Sequence, residues 1–192
     1  MHNAIVDHIH VVNPVVDIGG GKQEYLQYLK INNGIFEKAV VIDLSDKADI
    51  KANLEYFLPL KTASVKTVLN FNVMEHIYNY QNLCNEMIRI LRKDGMVYIW
   101  VPFLINVHRD PEDYFRYTDM ALERILKSSG FKETTIIAYG GLGATIGTYT
   151  GQLFQKLPLL CVIAKIFGLL TNKIIDLYDQ SKNASKWPLG YL

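Results

Sequence analysis

The sequence predicts an open, mostly parallel α/β sheet with helices on both faces. Three observations carry this expectation. Apolar, β-branched runs of strand length alternate with segments of helical periodicity at least five times. The first run, Val15-Val16-Asp17-Ile18, leads directly into Gly19-Gly20-Gly21. Polar candidates then recur at the ends of successive predicted strands, the edge where open α/β sheets bind ligands.

Taken in order, residues 1–13 carry His2, His8 and His10 in an extended pattern, with no carboxylate or further histidine placed to complete a metal site. We assign no metal to the sequence. The first strand is Val15–Ile18, buried on both faces. A helix follows with Tyr25, Leu26, Tyr28 and Leu29 on its apolar face, ending near Asn32-Asn33-Gly34. The second strand is Ala39–Ile42, with Asp43 at its end, and a weak third strand lies within Ile50 to Leu54. Val65–Leu69 is the fourth strand, left through Asn70-Phe71-Asn72. Leu83, Met87, Ile90 and Leu91 share one helix face, and Lys93-Asp94-Gly95 reads as that helix's end. Met96–Val101 is the fifth strand, stopped by Pro102.

The polar, aromatic loop 106–118 is long enough to be functional. Thr118 or Asp119 caps a helix closed by Ser129-Gly130, and Phe131 to Ala138 is the sixth strand. Gly140, Gly141, Gly143, Gly147 and Gly151 mark a loop or a tightly packed helix start. Pro158 opens a helix through Leu170, and a second helix runs near Lys173 to Asp179.

Composition bounds the function. The 192 residues suit one domain, 1–192, with an apolar helical segment over 152–180. Apolar residues make up 49% and charged residues 20%, as in a globular chain. Net charge is +1, so nothing suggests a nucleic-acid partner. Cys84 and Cys161 sit among apolar residues outside any metal-type spacing and read as reduced packing residues. The N-terminus lacks a signal-peptide pattern, and the longest apolar run, 157–170 interrupted by Lys165, is too short to span a bilayer. The expected location is the cytoplasm.

The glycine turn narrows the ligand. A dinucleotide turn needs G-x-G-x-x-G, but Glu24 stands at the third position, where it would repel a pyrophosphate. Asp17 suits a ligand carrying an ammonium group. Asp43, placed after the second strand, suits two ribose hydroxyls. A nucleotide-dependent oxidoreductase is therefore disfavoured.

These residues resemble a class I S-adenosylmethionine-dependent methyltransferase of the type 11 group. The family's Asp/Glu-x-Gly-x-Gly-x-Gly motif is matched by Asp17, Gly19 and Gly21, with Gln23 in place of the last glycine. Asp43 matches the acid after strand two, and Asn53-Leu54 the step near the adenine, with Asn for Asp. Leu58-Pro59-Leu60, Ser64-Val65-Lys66, Val73-Met74-Glu75-His76, and Arg89, Leu91 and Gly95-Met96 match further motifs. Val101-Pro102-Phe103, His108, Pro111 and Asp113–Thr118 resemble a subgroup associated with surface-polysaccharide synthesis.

The resemblance covers about residues 13–138 and implies a Rossmann-like fold whose C-terminal seventh strand is short or missing. It implies S-adenosylmethionine as cofactor, held by Asp17, Gly19, Gly20, Gly21, Asp43, Leu44, Asn53, Leu54, Asn70, Phe71 and Asn72, and a sugar or glycan precursor as acceptor. The departures at Gln23 and Asn53, with the short C-terminus, motivate the alternative of a non-catalytic protein that keeps the fold for binding or scaffolding.

Methyl transfer to oxygen or nitrogen calls for a base near neutral pKa. His108 is the first candidate and His76 the second; the alternatives are a loop histidine tied to a carboxylate and a buried hydrogen-bonding histidine. Tyr114, Arg116 and Tyr117 are candidates for an acceptor pocket, or the aromatics pack the loop. The apolar segment 157–177 suits helix packing or a homodimer, with contact to a membrane surface as the alternative.

Overall fold

A computed structural model describes residues 8–21, 30–31, 34–35, 38–153, 158–178, 183–186 and 188–192. The described chain forms two compact units. One holds residues up to Val101, His108–Ile136 and Leu192; the other holds Pro102–Val107 and Ile137–Tyr191.

The first unit is built on five parallel strands: β2 (Val15–Ile18), β5 (Val40–Asp43), β6 (Ile50–Lys51), β7 (Val65–Phe71) and β8 (Leu91–Pro102), in the order β6-β5-β2-β7-β8. The chain starts at the central strand, builds outward through β5 and β6, then returns to the other side of β2. That reversal creates a switch point at the carboxyl end of β2, where a crevice opens in such sheets. All four β2 residues are buried, as a strand covered on both faces requires. Ile9, Val11, Val15, Ala39, Leu69 and Tyr98 form one core cluster. A separate small sheet joins β1 (His10–Val11), β3 (Lys30–Ile31) and β4 (Gly34–Ile35). The helix expected to end near Asn32–Gly34 thus gives way to a short antiparallel pair at Lys30–Ile31 and Gly34–Ile35. Its proposed apolar face, with Gln23 and Glu24, lies outside the described residues.

Helix α1 (Tyr80–Ile90) starts where Asn79 Oδ1 accepts from the Asn82 N–H, and it buries Leu83, Cys84, Met87 and Ile90. It ends earlier than the sequence suggests. Lys93, Asp94 and Gly95 belong to β8, not to a helix terminus. Gly95 is required there for close approach: a Cβ would stand 2.7 Å from Leu91 Cδ1 and 2.8 Å from the Lys66 carbonyl oxygen. Helix α2 (Asp119–Ser129) is capped by Thr118 Oγ1, which accepts from the Ala121 N–H, and it closes at Gly130 with φ +102°.

In the second unit, β9 (Ala138–Gly140) pairs antiparallel with β10 (Pro188–Tyr191). These two bring the strands of the mostly parallel fold to seven, with the C-terminal strand present but short. The strand expected over Phe131–Ala138 shrinks to 138–140, because pairing extends only as far as the four residues of β10 allow. Helix α3 (Leu142–Leu153) packs on α4 (Pro158–Tyr178) through glycines: a Cβ on Gly168 would lie 2.5 Å from the Gly143 carbonyl oxygen and 2.7 Å from Gly147 Cα. The break expected between Leu170 and Lys173 does not occur. Thr171 Oγ1 donates to the Phe167 carbonyl, so its hydroxyl is satisfied within a continuous helix. Helix α4 exposes Leu159, Ile163, Phe167 and Leu169 to solvent. Among the described residues, no helix is long and apolar enough to cross a membrane.

The loop 57–60 is fixed to α1 by an ion pair. Glu86 accepts from the Leu58 N–H (2.7 Å) and from Arg89 Nε and Nη2, while Arg89 donates to the Leu58 and Leu60 carbonyls. The guanidinium also stacks over Phe57 at 4.1 Å. The Arg89 hydrogen bond holds the Glu86 carboxyl below the usual glutamate range. Glu86→Gln should therefore destabilise the protein by about 1–3 kcal/mol, the worth of hydrogen bonds to a charged group. A depressed folded pKa stabilises above the unfolded value and loses its effect as pH falls through the folded one. Urea unfolding should thus show the gap at pH 7 and its disappearance at strongly acidic pH.

Candidate functional site

The site is built at the carboxyl end of β2 and β7. Asp17 is completely buried, and the chain turns above it through Gly19 (φ +76°) and Gly21 (φ +50°). The Gly19 N–H donates to the Ile42 carbonyl at 2.8 Å, which ties the turn to β5. Each glycine has its own reason. A Cβ on Gly19 would lie 2.3 Å from Val73 Cγ2, and one on Gly20 only 2.0 Å from Asp17 Oδ2. Among the described residues, a Cβ on Gly21 would meet nothing within 4 Å.

Asp43 ends β5, half-buried, with Oδ1 accepting from the Ser45 N–H at 2.9 Å. Leu44 beside it is exposed. Asn53 is exposed and its Oδ1 accepts from the Glu55 N–H, while Leu54 is buried. Asn70 is fully buried within β7, not after it. Its Nδ2 donates to the Ile18 carbonyl at 3.1 Å, and its Oδ1 has no hydrogen-bond partner among the described residues. Phe71 ends the strand, and Asn72 follows at φ +54° with its N–H donating to the Trp100 carbonyl. The structure therefore gathers Asp17, the glycine turn, Asp43 and Asn70 on three adjacent parallel strands.

A second cluster stands just beyond β7, where Met74–His76 form a single 3-10 turn. The Glu75 side chain is fully buried, and neither carboxylate oxygen has a hydrogen-bond partner among the described residues. Burial pushes its carboxyl up to about 7. Two histidines face it: His76 Nε2 lies 3.6 Å and His108 Nε2 3.8 Å from Glu75 Oε1. The imidazoles meet edge-on, 5.1 Å between centres.

The loop carrying His108 is laced to this turn. The Tyr114 and Phe115 N–H groups donate to the Glu75 carbonyl, and the Glu112 carbonyl bonds His76 Nδ1. Asp113 is gripped by Arg116 through both oxygens, which holds its carboxyl down at about 2. The same carboxylate accepts from the His108 N–H at 2.9 Å.

The predicted acceptor residues separate by role. Tyr117 is buried, with its hydroxyl donating to the Met74 carbonyl. Arg116 binds Asp113. Tyr114 is exposed and packs edge-on against the exposed Tyr78, 5.3 Å between ring centres. Glu75 is the residue that sequence reasoning missed, having treated it as the neighbour of His76. Its signal was a carboxylate set among Val73, Met74 and Ile77, all of which are buried.

Residues 16–99 match the family model described as "Methyltransferase domain". A Mycolicibacterium smegmatis protein named "Probable S-adenosylmethionine-dependent methyltransferase" is 32% identical over 104 residues, covering 50% of this chain and 40% of that protein. The chain thus spans about two-fifths of that relative's length. An S-adenosylmethionine-dependent methyltransferase from Archaeoglobus fulgidus has the same fold, with a TM-score of 0.58 at 20% identity over 92% of this chain and 82% of that one. So does a Burkholderia thailandensis 1,6-didemethyltoxoflavin-N1-methyltransferase bound to S-adenosylhomocysteine, at TM-score 0.52, 15% identity and coverage of 66% and 63%. The fold is the Rossmann-like one of the S-adenosylmethionine-dependent methyltransferases.

Adjacent glycines should respond differently to a single methyl group. Gly20→Ala must push Asp17 aside in a buried strand and should cost about 1–3 kcal/mol or more. Gly21→Ala meets only backbone strain and should cost roughly 1–2 kcal/mol. Chemical denaturation of the two variants measures the difference, with Gly20→Ala the less stable.

Proposed function

We propose that the protein is an S-adenosylmethionine-dependent methyltransferase. The carrying observation is the convergence of the glycine turn, Asp43 and Asn70 at one strand edge, within residues that match a methyltransferase domain. The residues fit the cofactor. Gly21, with no Cβ, lets a ligand approach the backbone, and the buried Asn70 Oδ1 awaits a donor. Asp43 would hold the ribose hydroxyls, Leu44 and Leu54 would flank the adenine with Asn53, and Asp17 would set the electrostatics beneath the turn. The cofactor supplies an electrophilic sulfonium methyl for in-line displacement.

The acceptor in this reading is a hydroxyl of a sugar or glycan precursor. The exposed rings of Tyr78 and Tyr114 support it, since aromatic faces suit the apolar side of a sugar. The Glu75, His76 and His108 cluster handles the acceptor's proton. His108 is its more exposed histidine, and Arg116 positions it through Asp113. The exposed apolar face of α4 supports contact with a second copy of the chain or with a membrane surface.

Calorimetric titration with S-adenosylmethionine and S-adenosylhomocysteine tests the reading; a folded sample that binds neither sinks it. Asp43→Ala should weaken binding by about 1–3 kcal/mol, as for a lost charge-assisted hydrogen bond. His108→Ala should instead leave cofactor affinity unchanged and lower turnover on the acceptor by about 10²–10⁴-fold, the usual range for a proton-handling group.

A further inference from the structure

The cluster after β7 has the form of a metal site. Among the described residues, Glu75, His76 and His108 each offer one ligand atom, all within 4.8 Å of one another. We propose that Glu75 Oε1, His76 Nε2 and His108 Nε2 bind a borderline divalent cation such as Zn²⁺ or Co²⁺, with open coordination positions toward the acceptor.

Distances favour this assignment over direct hydrogen bonding. Nε2 to Oε1 separations of 3.6 and 3.8 Å are too long for a hydrogen bond. Two ligands on a tetrahedral Zn²⁺, each at the usual bond length, stand roughly 3.4 Å apart. The two separations from Glu75 Oε1 thus need to tighten only by a few tenths of an ångström around an ion, while the two imidazole nitrogens lie within 4.8 Å of each other.

The His76 tautomer is set for it as well. A carbonyl oxygen can only accept, so the bond to the Glu112 carbonyl puts the His76 proton on Nδ1 and leaves the Nε2 lone pair facing Glu75. Asp113, fixed by Arg116, holds His108 through its backbone N–H at 2.9 Å, with the ring Nδ1 3.7 Å from Oδ2 and beyond hydrogen-bond reach. A histidine whose far nitrogen meets a carbonyl, as His76 does, has the standard outer support of a metal ligand.

Burial completes the picture. The Glu75 side chain is fully buried, and among the described residues neither carboxylate oxygen has a hydrogen-bond partner, so a carboxylate stands beside two imidazoles without closing a bond to either. His76 is 9% exposed and His108 39%, which closes one side and opens the other. A closed structural zinc site would bury all its ligands and supply a fourth. Two imidazoles and one carboxylate disfavour Mg²⁺ and Ca²⁺, which prefer oxygen ligands throughout.

The site deepens the methyltransferase reading and rests on it only for its use. With the ion bound, His108 serves as a ligand and the metal takes over its part in deprotonation: a coordinated acceptor hydroxyl would have a lowered pKa and lose its proton to solvent, so His108→Ala lowers turnover on either account. That selects an oxygen acceptor able to coordinate.

The full chain, stripped with a chelator, should be titrated with Co²⁺ by visible absorption and with Zn²⁺ by calorimetry. The expected result is one saturable site with the absorption of histidine-bound Co²⁺, displaced by Zn²⁺. His76→Ala and His108→Ala should each abolish that spectrum or weaken binding by more than tenfold. Asp113→Asn should weaken it about 10–100-fold, the range for an outer-shell support. His8→Ala and His10→Ala should bind as the parent does. Circular dichroism confirms that each variant is folded, and His108→Ala changes a partly exposed loop residue outside the core. No saturable site in the parent, or an unchanged Co²⁺ spectrum in folded His108→Ala, would overturn the proposal. Titrating S-adenosylmethionine into the same metal-free samples keeps the two readings apart: cofactor binding without cation binding sinks the metal site alone.

Discussion

The Asp17 carboxylate lies wholly buried at the end of the central strand, with its Oδ2 where a Cβ on Gly20 would have to stand. This contact fixes more than one turn. Asp17 pairs with Val41 on one side and Leu69 on the other, so its position is locked to the register of both neighbouring strands. A one-residue slip would carry it to the opposite face of the sheet. The same register places Asp43 and Asn70 beside the turn, because parallel strands in step end in step. The strand edge is therefore a consequence of how β2 is packed.

The second buried carboxylate is held differently. The backbone of Glu75 is a docking point: its carbonyl receives the N–H groups of Tyr114 and Phe115, while Tyr117 bonds the preceding carbonyl of Met74. Tyr80 and Tyr117 pack beside Phe115 and complete the seam. These contacts bring a distant loop histidine onto the turn that carries His76. The aromatic residues of the loop thus hold His108 against the turn while one face of Tyr114 stays exposed.

Much of this was legible in the sequence, and the failures have local causes. Val15–Ile18, Asp43, the Thr118 cap and the Gly130 stop all follow from short-range rules, and the structure places them as expected. Lys93-Asp94-Gly95 misled because a glycine after cations marks a helix end, whereas here Gly95 answers to the Lys66 carbonyl on a neighbouring strand. Phe131–Ile137 misled because strand propensity says nothing about the length of the partner. Thr171 and Asn172 looked like a break because spacing does not reveal a hydroxyl bonded back to Phe167. The histidine and carboxylate cluster escaped for the same reason: its members come from two loops, and no ligand spacing along the chain connects them.

A protein that kept this fold only for packing or scaffolding would have little use for Glu75 as it stands. Burying a carboxyl whose oxygens have no hydrogen-bond partner among the described residues is costly relative to water, and an apolar side chain of similar size would remove that cost. Asp17 is not the same case, since its carboxylate shapes the turn above it. The Glu75 contacts that dock the loop run through its main-chain carbonyl, which any residue would provide. What the side chain adds is an acidic group facing two imidazoles, one of them open to solvent. A cost of that kind would be recovered if a ligand bound between those groups, which is the physical argument against a purely structural reading of the Glu75 side chain.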